Sequence, residues 1–89
     1  MIKLIAVESK DGPRLLLHFS DGSSGVFDFS PFVAAGTEMT APLADPAFFA
    51  RYFIEAGALA WPNGFDLSAR SLQERLRESG NLSRGAAAA

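Results

Sequence analysis

His18 and Ser20 have the side chains of a general base and a nucleophile, and they lie two positions apart. On a strand that spacing puts both on one face, but about 6.5–7 Å apart, beyond the roughly 2.6–3.2 Å that proton transfer needs. His18 is the only histidine, and nothing obvious in the sequence orients its ring. It reads as a partly exposed strand residue, and no triad is expected. Asp21, Asp28, Asp45 and Asp66 offer carboxylates for acid–base work. Each falls at a turn or a helix start, where Asp accepts backbone N–H bonds. Asp21 reads as a hairpin residue and Asp45 as a cap. Asp66 alone lacks a complete structural reason, beyond bonding the backbone at the start of the last helix. Acids do not alternate as a calcium loop requires, and with no cysteine there can be neither a thiolate zinc site nor a disulfide.

Asp21-Gly22-Ser23-Ser24-Gly25 is glycine-rich, yet a strand follows it, whereas a phosphate cradle needs a helix N-terminus. It is expected to be a hairpin loop. Residues 70–84 carry Arg70, Arg75, Arg77 and Arg84 against Glu74 and Glu78, a local charge of +2 that leaves −4 elsewhere, since the whole chain is at −2. Spacings of three and four let Arg70 pair with Glu74, Glu74 with Arg77, and Arg75 with Glu78, which predicts a solvated helix face. The net negative charge disfavours nucleic acid as a partner, because that affinity comes mostly from neutralising phosphates. Trp61, beside Pro62-Asn63-Gly64, reads as a core lid whose N–H bonds a turn carbonyl. Its alternative role is a surface anchor. Trp61, Asn63, Asp66, Arg70, Arg75 and Arg77 together are the candidate interaction surface. No catalytic, cofactor-binding or metal-binding set is expected.

These residues must be positioned by short elements. Ile2–Ser9, Arg14–Ser20 and Val26–Phe29 predict three strands of an antiparallel meander, joined at Lys10-Asp11-Gly12-Pro13 and Asp21-Gly22. Leu15, Leu16 and Leu17 put apolar groups on both faces of the second strand. The first strand does likewise, with Ile2, Leu4 and Ala6 on one face and Ile5 and Val7 on the other. A sheet apolar on both sides needs two covers, so a partner is expected over part of one face. Ser30-Pro31 opens a short helix with Ser30 as its cap, and Gly36 ends it. Asp45-Pro46 starts another. A second hairpin is expected from Tyr52-Phe53-Ile54 and Ala58-Leu59-Ala60-Trp61. Ser68 caps the last helix, which buries Ala69, Leu72 and Leu76; Ser71-Leu72-Gln73-Glu74 is a competing start.

The result is an α+β fold: a three-stranded antiparallel meander, a second β-hairpin, short helices, and a C-terminal helix packed on the sheet. Eighty-nine residues make one domain, expected over residues 1–80, with 81–89 as a flexible tail. Hydrophobic residues at 48%, including eight Phe, suffice for a core. The N-terminal apolar stretch is broken by Lys3 and ends at Glu8, unlike an export signal, and no run is long enough to span a membrane. A cytoplasmic protein is expected.

Phe19-Ser20-Asp21-Gly22, Asp28-Phe29-Ser30, Pro42-Leu43 and Trp61-Pro62-Asn63-Gly64-Phe65-Asp66-Leu67 occur in an order that resembles the bacterial domain of unknown function 2442 family. The resemblance spans residues 2–76; Phe29 and Phe65 stand where aliphatic residues are commoner in that family. It implies an α+β fold of this size and attaches no catalytic residues or cofactor. Some members carry an added helix-turn-helix, for which this chain has no room. Family genes often lie beside small proteins suspected of toxin–antitoxin roles. The expected function is therefore a non-enzymatic protein-interaction module. Its partner would be the product of a neighbouring gene or a second copy of the chain, and edge-strand addition is one mode. A nucleic-acid regulator acting through the last helix's arginines is the alternative, with a small enzyme built on Asp66 near Trp61 last.

Overall fold

Buried and solvent-facing residues alternate from Arg14 to Phe19, the two-residue period of a strand. In the computed structural model, which describes residues 1–84, this segment is β2, the middle of an antiparallel meander. β1 (Leu4–Ser9) and β3 (Ser24–Asp28) flank it. Leu15, Leu17 and Phe19 face the core, fully or almost fully buried.

The apolar run of β1 is less two-sided than its alternation implies. The register shifts between Leu4 and Ala6, a β-bulge. Leu4 then faces Phe19 while Val7 faces Leu17, so both lie on the core side despite being three positions apart. Ile5, at the bulge, is left exposed. The other face carries Ala6, His18 and Ser24 in one cross-strand row and Glu8, Leu16 and Val26 in the next.

The second sheet is larger than the expected hairpin. β4 (Phe53–Glu55) pairs with β5 (Ala58–Ala60), and β6 (Asp66–Leu67) adds a third antiparallel strand. Pro62-Asn63-Gly64 reverses the chain so that Phe65 C=O returns to accept the N–H of Trp61 at 2.9 Å. The two sheets meet where β4 runs antiparallel beside β1. Leu4 N–H donates to Gly57 C=O at 2.8 Å at one end, and Ser9 Oγ and Tyr52 OH lie 2.8 Å apart at the other.

α1 (Ser30–Ala35) starts differently from expectation. Phe29 occupies the cap position without a side-chain bond, and Asp28 accepts both the N–H and the hydroxyl of Ser30. Ser30 is therefore capped by its neighbour and is not itself the cap. Gly36 closes α1 in the left-handed conformation, as expected. A 3₁₀ turn, Ala41–Ala44, precedes α2 (Pro46–Phe49), for which Asp45 accepts the N–H of Ala47 at 3.0 Å. In α3 (Ala69–Glu78) the cap is Ser68, which accepts from Ser71 N–H; the later capping box is not used. Gly80 at φ 78° ends α3, with the N–H of Asn81 reaching Leu76 C=O and that of Gly80 reaching Arg77 C=O. This is a Schellman closure.

One core cluster draws on every layer, from Leu4 to Leu76. Its centre is aromatic: Trp61 stands 5.6 Å from Phe29, 5.8 Å from Phe49 and 5.7 Å from Phe65 between ring centroids. α3 covers the core face of the first sheet; a Cβ on Gly25 would meet Leu76 Cδ1 at 3.2 Å. Of the segment expected as a tail, residues 85–89 lie outside the described residues. Ser83 exchanges two backbone bonds with Ser24, at 2.8 and 2.7 Å.

Candidate interaction surface

Most side chains that could do chemistry are held in structural bonds. Asp21 accepts the N–H and hydroxyl of Ser23 and the amide of Gln73, and these bonds, those of Ser23 foremost, hold its carboxyl below the usual range. The hydroxyl and then the N–H of Ser30 do the same for Asp28. Ser20 Oγ accepts the N–H of Lys3. His18, expected to have nothing orienting it, has Glu8 Oε2 at 2.8 Å from Nε2. The sequence reading missed this contact because Glu8 and His18 lie on different strands and meet on the diagonal of the register.

Of the six residues expected as a surface, Trp61 is buried, Asn63 is half-buried, and Asp66, Arg70, Arg75 and Arg77 are exposed. Trp61 is in the core at 1% exposure, and its Nε1 donates to Phe49 C=O at 2.9 Å. Asn63 bridges two segments: Nδ2 donates to Met39 C=O and Oδ1 accepts the N–H of Phe65. Asp66 is exposed in β6, opposite Ala60. Arg77 pairs with Glu74, as its spacing predicts. The expected pairs Arg70–Glu74 and Arg75–Glu78 are absent among the described residues; Arg75 lies over the Phe32 ring at 5.2 Å from its centroid. Phe32 comes from α1, so no spacing within α3 could reveal that contact.

The elements from Leu4 to Glu78 coincide with a stretch recognisable in other chains: residues 4–78 match a family described as "Protein of unknown function (DUF2442)". The chain belongs to that family. No curated protein and no solved structure matches it. The DUF2442 match runs from the first residue of β1 to the last of α3, so Ser83 and its bonds to β3 lie beyond it. Among the described residues of this DUF2442 chain, no helix is long and apolar enough to cross a membrane.

Two surface features of the DUF2442 fold escaped the sequence reading. An apolar groove of about 580 Å³ lies between the β1–β2 turn, α1 and α2, with Pro13, Val33, Leu43, Pro46 and Phe49 in its walls. The second is the outer edge of β3. Phe19 N–H donates to Ser23 C=O and Phe29 N–H to Pro13 C=O, which fixes the phase of the β2–β3 ladder. Bonded and non-bonded pairs alternate along an antiparallel ladder. Residues 23, 25, 27 and 29 therefore bond toward β2, and the N–H and C=O groups of Ser24, Val26 and Asp28 point outward. Ser83 takes both groups of Ser24. Those of Val26 and Asp28 have no partner among the described residues.

Proposed function

We propose that the chain is a cytoplasmic protein-interaction module without chemistry of its own, one half of a small two-gene system. The observation that carries this is the outer face of the first sheet. Leu16 and Val26 are cross-strand partners on that face, both are half-buried, and neither belongs to the core cluster. The helices pack on the other side. An uncovered apolar strip on a sheet marks a place where another surface adds favourable burial. The bulge in β1 reduces the strip that the sequence implies, but Leu16 and Val26 remain on it.

The test is co-expression with the product of the adjacent gene, followed by light scattering of the purified chain with and without it. A stoichiometric complex, or a dimer of the chain alone, is the expected result, and Leu16→Asp should disrupt it. A monomer that forms no complex at any concentration tested rules the reading out. A nucleic-acid role through Arg70, Arg75 and Arg77 has less support, because Arg77 is paired with Glu74 and Arg75 is seated on Phe32.

A further inference from the structure

We infer that the outer edge of β3, at Val26–Asp28, receives an extended strand of a partner protein. The inference rests on the proposed binding role and adds the place, the mode and the chemistry of the partner segment. Two donors and two acceptors, the N–H and C=O groups of Val26 and Asp28, face outward in a row. A strand added there satisfies all four at once, and main-chain bonds of this kind supply the affinity of strand addition. The neighbouring position of the same edge already works this way, since Ser24 is paired by the chain's own Ser83 in the antiparallel sense.

Among the described residues, no segment of the chain pairs with the vacant positions: Ser83 faces Ser24 antiparallel and takes that position alone. Residues before Ser83 cannot serve, because Asn81 is tied back to Leu76 C=O by the Schellman closure. A second copy fits poorly. Antiparallel pairing of two β3 edges would place the two Asp28 carboxylates at diagonal positions, about 7–8 Å apart, and leave both copies' Ser83 beside the partner's α1. A strand from a different protein avoids both conflicts.

The walls of the edge define what that strand carries. A hollow of about 220 Å³ runs beside it, with Phe27, Phe32 and Leu76 supplying apolar surface, Arg75 supplying a cation, and Asp28 supplying a carboxylate that already accepts two bonds from Ser30. Arg75 is held over Phe32 and has no carboxylate partner among the described residues. The complementary segment is thus extended, places one aliphatic side chain in the hollow, and has Asp or Glu within reach of Arg75. Specificity in strand addition comes from such pockets for alternate side chains.

The experiment uses the full chain with the co-expressed product of the adjacent gene and follows amide hydrogen exchange residue by residue. In the free chain, Val26 and Asp28 should exchange fast while Gly25 and Phe27, bonded to β2, exchange slowly. In the complex, the Val26 and Asp28 amides should slow by about a hundredfold. Val26→Pro removes an outward N–H, which an edge strand tolerates, and should weaken the complex by about tenfold, whereas Val26→Ala, which trims the outer-face side chain and keeps the N–H, should weaken it less. Arg75→Gln should weaken it too. Should Val26→Pro fail to fold, the exchange measurement on the unmodified chain decides alone. A complex in which those two amides stay fast, or one that Val26→Pro leaves intact, overturns the edge site and leaves the binding role standing. Absence of any complex overturns both.

Discussion

Gln73 on α3 donates from Nε2 to Asp21 Oδ2 at 2.9 Å, joining the last helix to the first hairpin across 52 positions of sequence. The same amide reaches Ser23 Oγ at 3.0 Å, and both Ser23 and Gln73 are buried. This small polar cluster is fully bonded, which is the condition under which buried polar groups are tolerated.

Gln73→Ala removes that link and opens space beside a buried hydroxyl. The expected cost is about 1–3 kcal/mol in unfolding free energy, measured from urea denaturation midpoints. A change within a few tenths of a kcal/mol would mean that water replaces the amide without loss.

The Asp21 carboxyl also sets a pH dependence. Its bonds to Ser23, with Gln73 adding to them, lower its pKa in the folded state. A depressed folded-state pKa contributes stability that is present above the unfolded carboxylate value and is lost as pH falls through the folded one. The thermal midpoint gap between the natural chain and Asp21→Asn should therefore be widest near neutrality and should narrow below about pH 4. A gap that stays constant from pH 7 to pH 3 would remove this assignment.

Ala56 is the only described residue other than glycine with positive φ, at 52°, in the β4–β5 turn beside Gly57. Left-handed backbone costs an L-residue with a Cβ about 1–2 kcal/mol, a cost that Asn or Gly largely escapes. Ala56→Asn should raise stability by about 0.5–1 kcal/mol, seen as a higher thermal midpoint. Gly57 is not interchangeable in this way, since a Cβ there would lie 2.9 Å from Lys3 Cγ.

Gly25→Ala should act in the opposite direction. Its Cβ would stand 2.5 Å from the backbone oxygen of Asn81, so the segment bonded to Ser24 must shift. A cost of about 1–3 kcal/mol is expected, with faster exchange at the Ser24 amide as its specific sign. Destabilisation with Ser24 still protected would place the strain elsewhere.

Trp61→Phe tests the aromatic centre. The change deletes the donor to Phe49 C=O and leaves a gap among Phe29, Phe49 and Phe65. About 2–4 kcal/mol should be lost, read by circular dichroism because the only tryptophan has gone.

Local chemistry decided what the sequence could reveal by itself: the α+β class, the three strands of the meander, Gly36 at a helix end, Asp45 and Ser68 as caps, and Trp61 as a buried lid. Each depends on backbone angles or bonds spanning a few residues, and those preferences are written in residue type. Other features were decided only when distant segments met. The bulge that puts Leu4 and Val7 on one face, the third strand at Asp66–Leu67, and the tie from Gln73 to Asp21 depend on which strand lies opposite and which helix packs above. So does the seating of Arg75 on Phe32, where a ring from α1 replaces the carboxylate that helical spacing predicts. The open edge at Val26 and Asp28 belongs to this second group as well. Whether a backbone N–H points inward or outward depends on the phase of pairing with β2, and no residue type records that phase.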